Sequence, residues 1–268
     1  MRASGAASSG ASSGASSGAG PGLRAGVIPL AAFGDGGEIP VPYVIARSGE
    51  LVNDPLLFAM DWSRRREVLY LTYASRRAAD WVGGILRARV LDSGVGDPLW
   101  RQVNTVRQWR CMSELLCQVC GLPAAEPGEP IPWILTETAF HGLAGVPDAD
   151  GGAGNGDAGD TNQPPTCRRC IPSALAFCPR LGVSAEVVTA GSAEPVAVLG
   201  ELFQPGEGAG WRWPVSVGHN VYIGLDEFAR HPRVLATQLV MRLHDIRREG
   251  GGAGAGEVAG AGSSAGVS

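Results

Sequence analysis

From Val27 to about Val90, apolar residues fall in short runs broken by turn residues. The runs are VIPLAAF (27–33), IPVPYVIA (39–46) with two prolines suited to an edge, and EVLYLTY (67–73), a pattern that predicts strands. The stretch DWVGGILRARVL (80–91) fits either a strand kinked at its Gly-Gly or a poor helix, and periodicity does not choose between them. Between Val103 and Leu116, the apolar residues Val103, Val106, Trp109, Met112 and Leu116 keep helical spacing and predict a helix. A turn-rich patch follows, then the strand-like IPWILTE (131–137). Thr166 to Phe177 reads as a helix with Thr166 as its N-cap, stopped by Pro179 and Gly182. AEVVTA (185–190) and PVAVLGELF (195–203) predict a strand pair, and WRWPVSVGHNVYIGL (211–225) one or two strands more. From Pro232 to Arg248, Leu235, Leu239, Leu243 and Ile246 lie on one helical stripe while Arg242, Asp245 and Arg248 lie off it. With Pro232 in the first turn and Gly250 at the exit, this predicts a C-terminal amphipathic helix.

Composition divides the chain further. Many of the 40 glycines lie in three tracts whose residues bury too little apolar surface to offset ordering entropy. Residues 1–24 and 249–268 are therefore expected to be disordered tails, and 144–165 an insertion loop inside a folded region. The remainder is expected to form a β-rich region (25–100), a middle region (101–182) carrying the insertion, and a region of strands plus the C-terminal helix (183–248). The match GAGEVAG near the end resembles a dinucleotide fingerprint, but no strand is predicted before it and no helix after it, so it carries no weight.

All 22 basic residues are arginines, and the net charge is −4. The absence of lysine beside an Ala and Gly excess reads as base composition of the genome. The charge argues against an indiscriminate nucleic-acid coat. No apolar run approaches the ~20 residues of a membrane span, and the start lacks the apolar segment of a secretory signal. The expectation is a cytoplasmic protein without a membrane partner and with reduced thiols.

Four of the six cysteines form Cys117-Gln-Val-Cys120 and Cys167-Arg-Arg-Cys170. Two intervening residues let one turn of backbone aim both thiolates at a single ion, so two such pairs predict a tetrahedral metal site, zinc first. An iron–sulfur cluster and redox-active cysteines are the competing readings. Residues 121–166 separate the pairs, but 144–165 of them are the low-complexity tract, and loop-closure entropy grows only logarithmically with length. Cys178 is too far along a continued helix to join the site, and Cys111 lies on another helix face, so both are expected to be buried thiols. Arg107, Arg110, Arg168 and Arg169 flank the pairs. They are weak candidates for phosphate contacts, or they offset the −2 charge of four thiolates around Zn²⁺.

A C-x-x-C followed by Gly121, strand-forming residues, and a second C-x-x-C opening a helix resembles a treble-clef zinc finger. The resemblance covers about Met112 to Leu181 and implies a knuckle, a hairpin and a helix around structural zinc, with no particular activity. The strings LCQVCGLPA, PPTCRRC and FCP are similar to a family of uncharacterised actinobacterial proteins. Cysteine-bearing HNH endonucleases share the treble clef, and the sequence offers His141 in TETAFHG and Asn162 in TNQPPTCRRC where that family has a catalytic His and an Asn. Position 171 is Ile, where the family commonly has a metal-binding His. That likeness implies His141 as a general base and a second divalent ion near Glu137.

Three remaining histidines, His219, His231 and His244, share no ligand spacing, and Trp211 and Trp213 read as core. No P-loop, G-x-S-x-G or H-E-x-x-H occurs. The expected protein is α+β, with β-rich flanks around a treble-clef-like zinc core. It is expected to act as a zinc-stabilised binding or regulatory module for a protein or nucleic acid, not as an enzyme; the alternative is an HNH-type endonuclease acting on DNA.

Overall fold

A computed structural model describes residues 41–61, 68–136, 158–178, 181 and 184–249. The expected tails apart from Glu249, the strand expected over 27–33, His141, Glu137, most of the insertion and the stop signals Pro179, Gly182 and Gly250 lie outside the described residues.

The described chain is β-rich with two α-helices. Strands β1 (Ile45–Arg47), β2 (Leu56–Asp61), β3 (Val68–Tyr73), β4 (Trp81–Val82), β5 (Ile85–Arg87) and β6 (Pro98–Val103) precede helix α1 (Thr105–Ser113). Then come β7 (Ile131–Thr136), β8 (Ala158–Thr161), α2 (Ile171–Phe177), β9 (Ala185–Ala190), β10 (Ser192–Pro205), β11 (Pro214–Gly224), β12 (Val234–His244) and β13 (Arg247–Arg248). The ambiguous stretch 80–91 is a hairpin, β4–β5, turning at Gly83 and Gly84, both with positive φ.

The main sheet has the order β11-β10-β12-β5-β4. Its central strand β12 pairs antiparallel with β10 along one edge; its other edge takes β5 in parallel at Leu235 and Ala236, and β8 antiparallel from Met241 to His244. Smaller sheets are β13-β9-β7, β1-β6 and β2-β3. Strands β9 and β10 are consecutive yet belong to different sheets, so the expected pairing of the two does not form.

The C-terminal helix expected over Pro232–Arg248 is instead strand β12 followed by the short β13. Leu235, Leu239 and Leu243 are four apart, a spacing that is even and therefore compatible with a strand as well as a helix. A bulge hides the true period: Leu199 pairs with Gln238 and Gly200 with Ala236, leaving Thr237 unpaired. The phase flips there, so Val234, Ala236, Leu239, Met241 and Leu243 all join one core while Leu235 packs against another. The insertion expected over 144–165 likewise contains β8, which completes the edge of β12.

Helix α1 is the expected one. Asn104 caps it, its side chain accepting from the Arg107 N–H at 3.1 Å. Trp109 and Met112 enter the larger core with Ile85, Trp133, Val188 and Leu239, and Phe58, Leu71, Tyr73, Leu86 and Phe203 form the smaller one. Between β5 and β8 the edge of β12 has no strand partner, and the fully buried Gln108 of α1 fills the gap. Its carboxamide accepts from the Leu239 N–H at 2.9 Å and donates to the Leu239 and Asn162 carbonyls at 2.9 and 3.0 Å. One side chain thus satisfies the backbone groups that a ladder would otherwise pair.

Candidate metal centre

Past Ser113, Leu115 adopts a positive φ of 53° and the Leu116 N–H bonds back to the Cys111 carbonyl, turning the chain out of α1. Leu116 bridges to Pro123, and between them Cys117–Cys120 form a tight knuckle. The Cys117 N–H donates to Leu122 at 2.7 Å and the Gly121 N–H to Cys117 at 2.8 Å. Gly121 has φ 72°, and a Cβ there would stand 3.0 Å from the Tyr43 ring, so both conformation and space call for glycine.

A second knuckle is built on Cys167, whose carbonyl accepts from the N–H groups of Cys170 and Ile171 at 2.8 and 3.2 Å. Helix α2 starts only at Ile171, with Cys170 as its N-cap; Thr166 lies before the knuckle and does not cap the helix. The Thr166 hydroxyl accepts from Gln118 Nε2 at 2.9 Å, and the Gln118 N–H donates to the Pro165 carbonyl at 2.9 Å, so Gln118 joins the two knuckles. Residues 43 and 44 lie along the first knuckle, Tyr43 N–H bonding Val119 and Val44 N–H bonding Gln118.

The four Sγ atoms of Cys117, Cys120, Cys167 and Cys170 lie within 4.8 Å of one another, and Cys120 and Cys167 are 3.8 Å apart. Tetrahedral bonds of ~2.3 Å to one ion would place sulfurs about 3.8 Å apart. The cluster can therefore hold a metal ion such as zinc. Cys117 and Cys167 are buried, Cys120 and Cys170 half-buried. Hydrogen bonds to Cys120 and Cys167 push the Cys117 thiol well up, while accepting from Cys117 and Cys120 draws Cys167 far down. Burial, then the neighbouring Cys167, pushes Cys170 up to about 12.

All six cysteines are free thiols. Cys111 is fully buried outside the cluster, and burial pushes its thiol up to about 12. Cys178 ends α2 half-buried and joins neither core, where a buried thiol was expected.

The flanking arginines separate into two kinds. Arg107 is not a surface group: it is 5% exposed, ion-paired with the buried Glu50 and bonded to the Tyr43 carbonyl at 2.8 Å. It is removed as a phosphate contact, because a buried, paired guanidinium cannot reach one. Arg110 pairs with Glu114 one turn on, at 3.1 Å, and Arg168 pairs with Glu249; both are exposed, as is Arg169.

Asn162 sits between β8 and the second knuckle. Its carbonyl accepts from Gln108 and its amide donates to Gln238 at 2.9 Å, so it packs the sheet. The three histidines are apart, His219 beside Glu201, His231 bonded to the Gly224 carbonyl and His244 beside Glu194. Trp211 packs against the smaller core, but Trp213 is 66% exposed, contrary to expectation.

The hairpin that the treble-clef resemblance implies is not formed among the described residues: of the strands between the two pairs, β7 pairs with β9 and β8 with β12. Gln118, Thr166, Gln108 and the docking of Tyr43 and Val44 were not legible in the sequence, since nothing local marks a polar residue whose partner is distant.

Comparison of the chain with known protein families, with curated proteins and with solved structures gave no match. The likenesses to treble clefs, HNH endonucleases and actinobacterial proteins therefore rest on the motif residues alone. Among the described residues no helix is long and apolar enough to cross a membrane.

Proposed function

We propose that the protein is a zinc-stabilised binding or regulatory module in which Cys117, Cys120, Cys167 and Cys170 hold one structural Zn²⁺. The observation that carries the reading is the convergence of four sulfurs, from two knuckles far apart in sequence, to within 4.8 Å of one another. Four thiolates fill a tetrahedral shell and leave no position for a reacting water, which favours structure over catalysis. Exposed Arg169, standing within the second knuckle, offsets part of the net −2 of such a centre.

A protein partner is favoured over nucleic acid. Two of the arginines flanking the pairs are already paired with Glu50 and Glu114, and a third with Glu249. Trp213, Val215 and Val217, by contrast, are exposed large apolar residues at alternate positions on and just before β11. Apolar residues grouped in this way mark contact surfaces more often than free ones. Among the described residues nothing favours the endonuclease reading, since Asn162 is engaged in packing.

Metal analysis of the purified chain tests the proposal. One zinc per chain is expected, with Cys117→Ser or Cys167→Ser losing both the metal and the cooperative melt. A metal-free native protein, or a Cys117→Ser variant with unchanged melting, would overturn it. Affinity for a captured partner is expected to change little with salt; steep salt dependence would point to nucleic acid instead.

A further inference from the structure

The four sulfurs of the centre differ in access. Cys117 is fully buried and Cys167 is 6% exposed, whereas Cys120 and Cys170 are half-buried and meet solvent. Half-buried Cys120 lies across from the second knuckle, its Sγ 3.8 Å from that of Cys167. Bonded sulfurs in a disulfide are ~2.0 Å apart, so a gap of about 1.8 Å has to close for these two to bond. A half-buried cysteine beside a buried one has the difference in access of an attacking and a resolving cysteine.

We propose that Cys120 is a modification site for a peroxide and that Cys167 resolves it, so that the metal leaves and a disulfide takes its place between the knuckles. The inference rests on the zinc reading above and names its regulation. The Cys120 thiolate attacks one oxygen of hydrogen peroxide; the O–O bond breaks, Cys120 becomes a sulfenic acid, and the departing hydroxide takes a proton to leave as water. The Cys167 thiolate then attacks the Cys120 sulfur, the S–S bond forms, and the second hydroxide leaves as water after taking another proton. Two thiolates are oxidised by two electrons and one peroxide is reduced. Cys117 and Cys170, released from the metal, each take a proton from solvent and remain as thiols, too few to hold zinc.

The product has a structural consequence. The new bond joins the same two knuckles that the metal joined, so the Gln118 contacts to Pro165 and Thr166 keep their setting. Peroxide-treated, metal-free protein is therefore expected to melt close to the zinc-loaded form, while chelated, reduced protein melts much lower. Cys111, fully buried, is expected to stay reduced throughout. Cys178, half-buried and outside the cluster, is the competing target, and Cys178→Ser removes it.

The test begins with the metal content of the full-length chain as purified. Absence of zinc at that step defeats the zinc reading itself, before any peroxide is added. Zinc-loaded wild-type and Cys178→Ser chains are then titrated with hydrogen peroxide, following zinc release with a chromogenic chelator and mapping the cysteines by peptide mass spectrometry. Expected are one zinc released per Cys120–Cys167 disulfide in both chains, and recovery of the zinc form on adding a thiol reductant and zinc. A disulfide in any other pairing, sulfinic acid at Cys120 without a cross-link, or retention of zinc at peroxide levels that oxidise a free thiol peptide would overturn the proposal.

Discussion

At the scale of single residues, two buried polar side chains hold the parts around the metal centre in register. Gln108 substitutes for a missing strand partner of β12, and Gln108→Leu would leave the Leu239 N–H and two carbonyls buried without partners. A cost of about 2–3 kcal/mol is expected, read as a lower denaturant midpoint with an unchanged slope. Glu50, 1% exposed, accepts from Asn104, from the N–H groups of Arg47 and Gly94, and from Arg107. Burial alone would raise its carboxyl, but these donors outweigh that and hold it below its ordinary 4.5. A depressed folded value means the stabilisation is full above 4.5 and is lost as the pH falls through the lower folded value. Urea midpoints are expected to drop in that acid range, and Glu50→Gln is expected to lower stability at neutral pH and flatten the acid slope.

At the scale of elements, β10 and β12 approach closely at Gly200. A Cβ on Gly200 would lie 2.5 Å from the Leu235 carbonyl oxygen and 3.1 Å from Ala236 Cα, both backbone atoms that cannot swing away. Gly200→Ala is expected to push the two strands apart beside the Thr237 bulge and to cost about 1–3 kcal/mol, a fall of several degrees in Tm. An unchanged melt would show that the sheet relaxes around the bulge. Several elements were legible from pattern: β3, β7, β9, β10, β11 and α1 fall where alternation or helical spacing put them. β12 was not, because a strand buried on both faces and interrupted by a bulge shows neither clean period.

At the scale of the whole molecule, the knuckles are a junction. The first receives Tyr43 and Val44, adjoining β1, and continues from α1, which packs on β12; the second opens α2 and lies beside Glu249, after β13. Chelation of the metal is expected to lower Tm and to raise amide exchange first at residues 43, 44 and 116–123, with the β10–β12 ladder protected longest; uniform exchange would show that the centre is not the weak point. By itself the sequence determined the four clustered cysteines, because the spacing of each pair is local chemistry, and it determined that strands would dominate, because apolar alternation is local too. Tertiary structure alone decided which sheet each strand joined, that Arg107 is buried against Glu50 while Arg169 is exposed, and that residues 234–244 extend instead of coiling. Those outcomes depend on partners distant along the chain: a guanidinium is buried only where a carboxylate awaits it, and a segment with both faces covered takes the conformation its neighbours can hydrogen-bond.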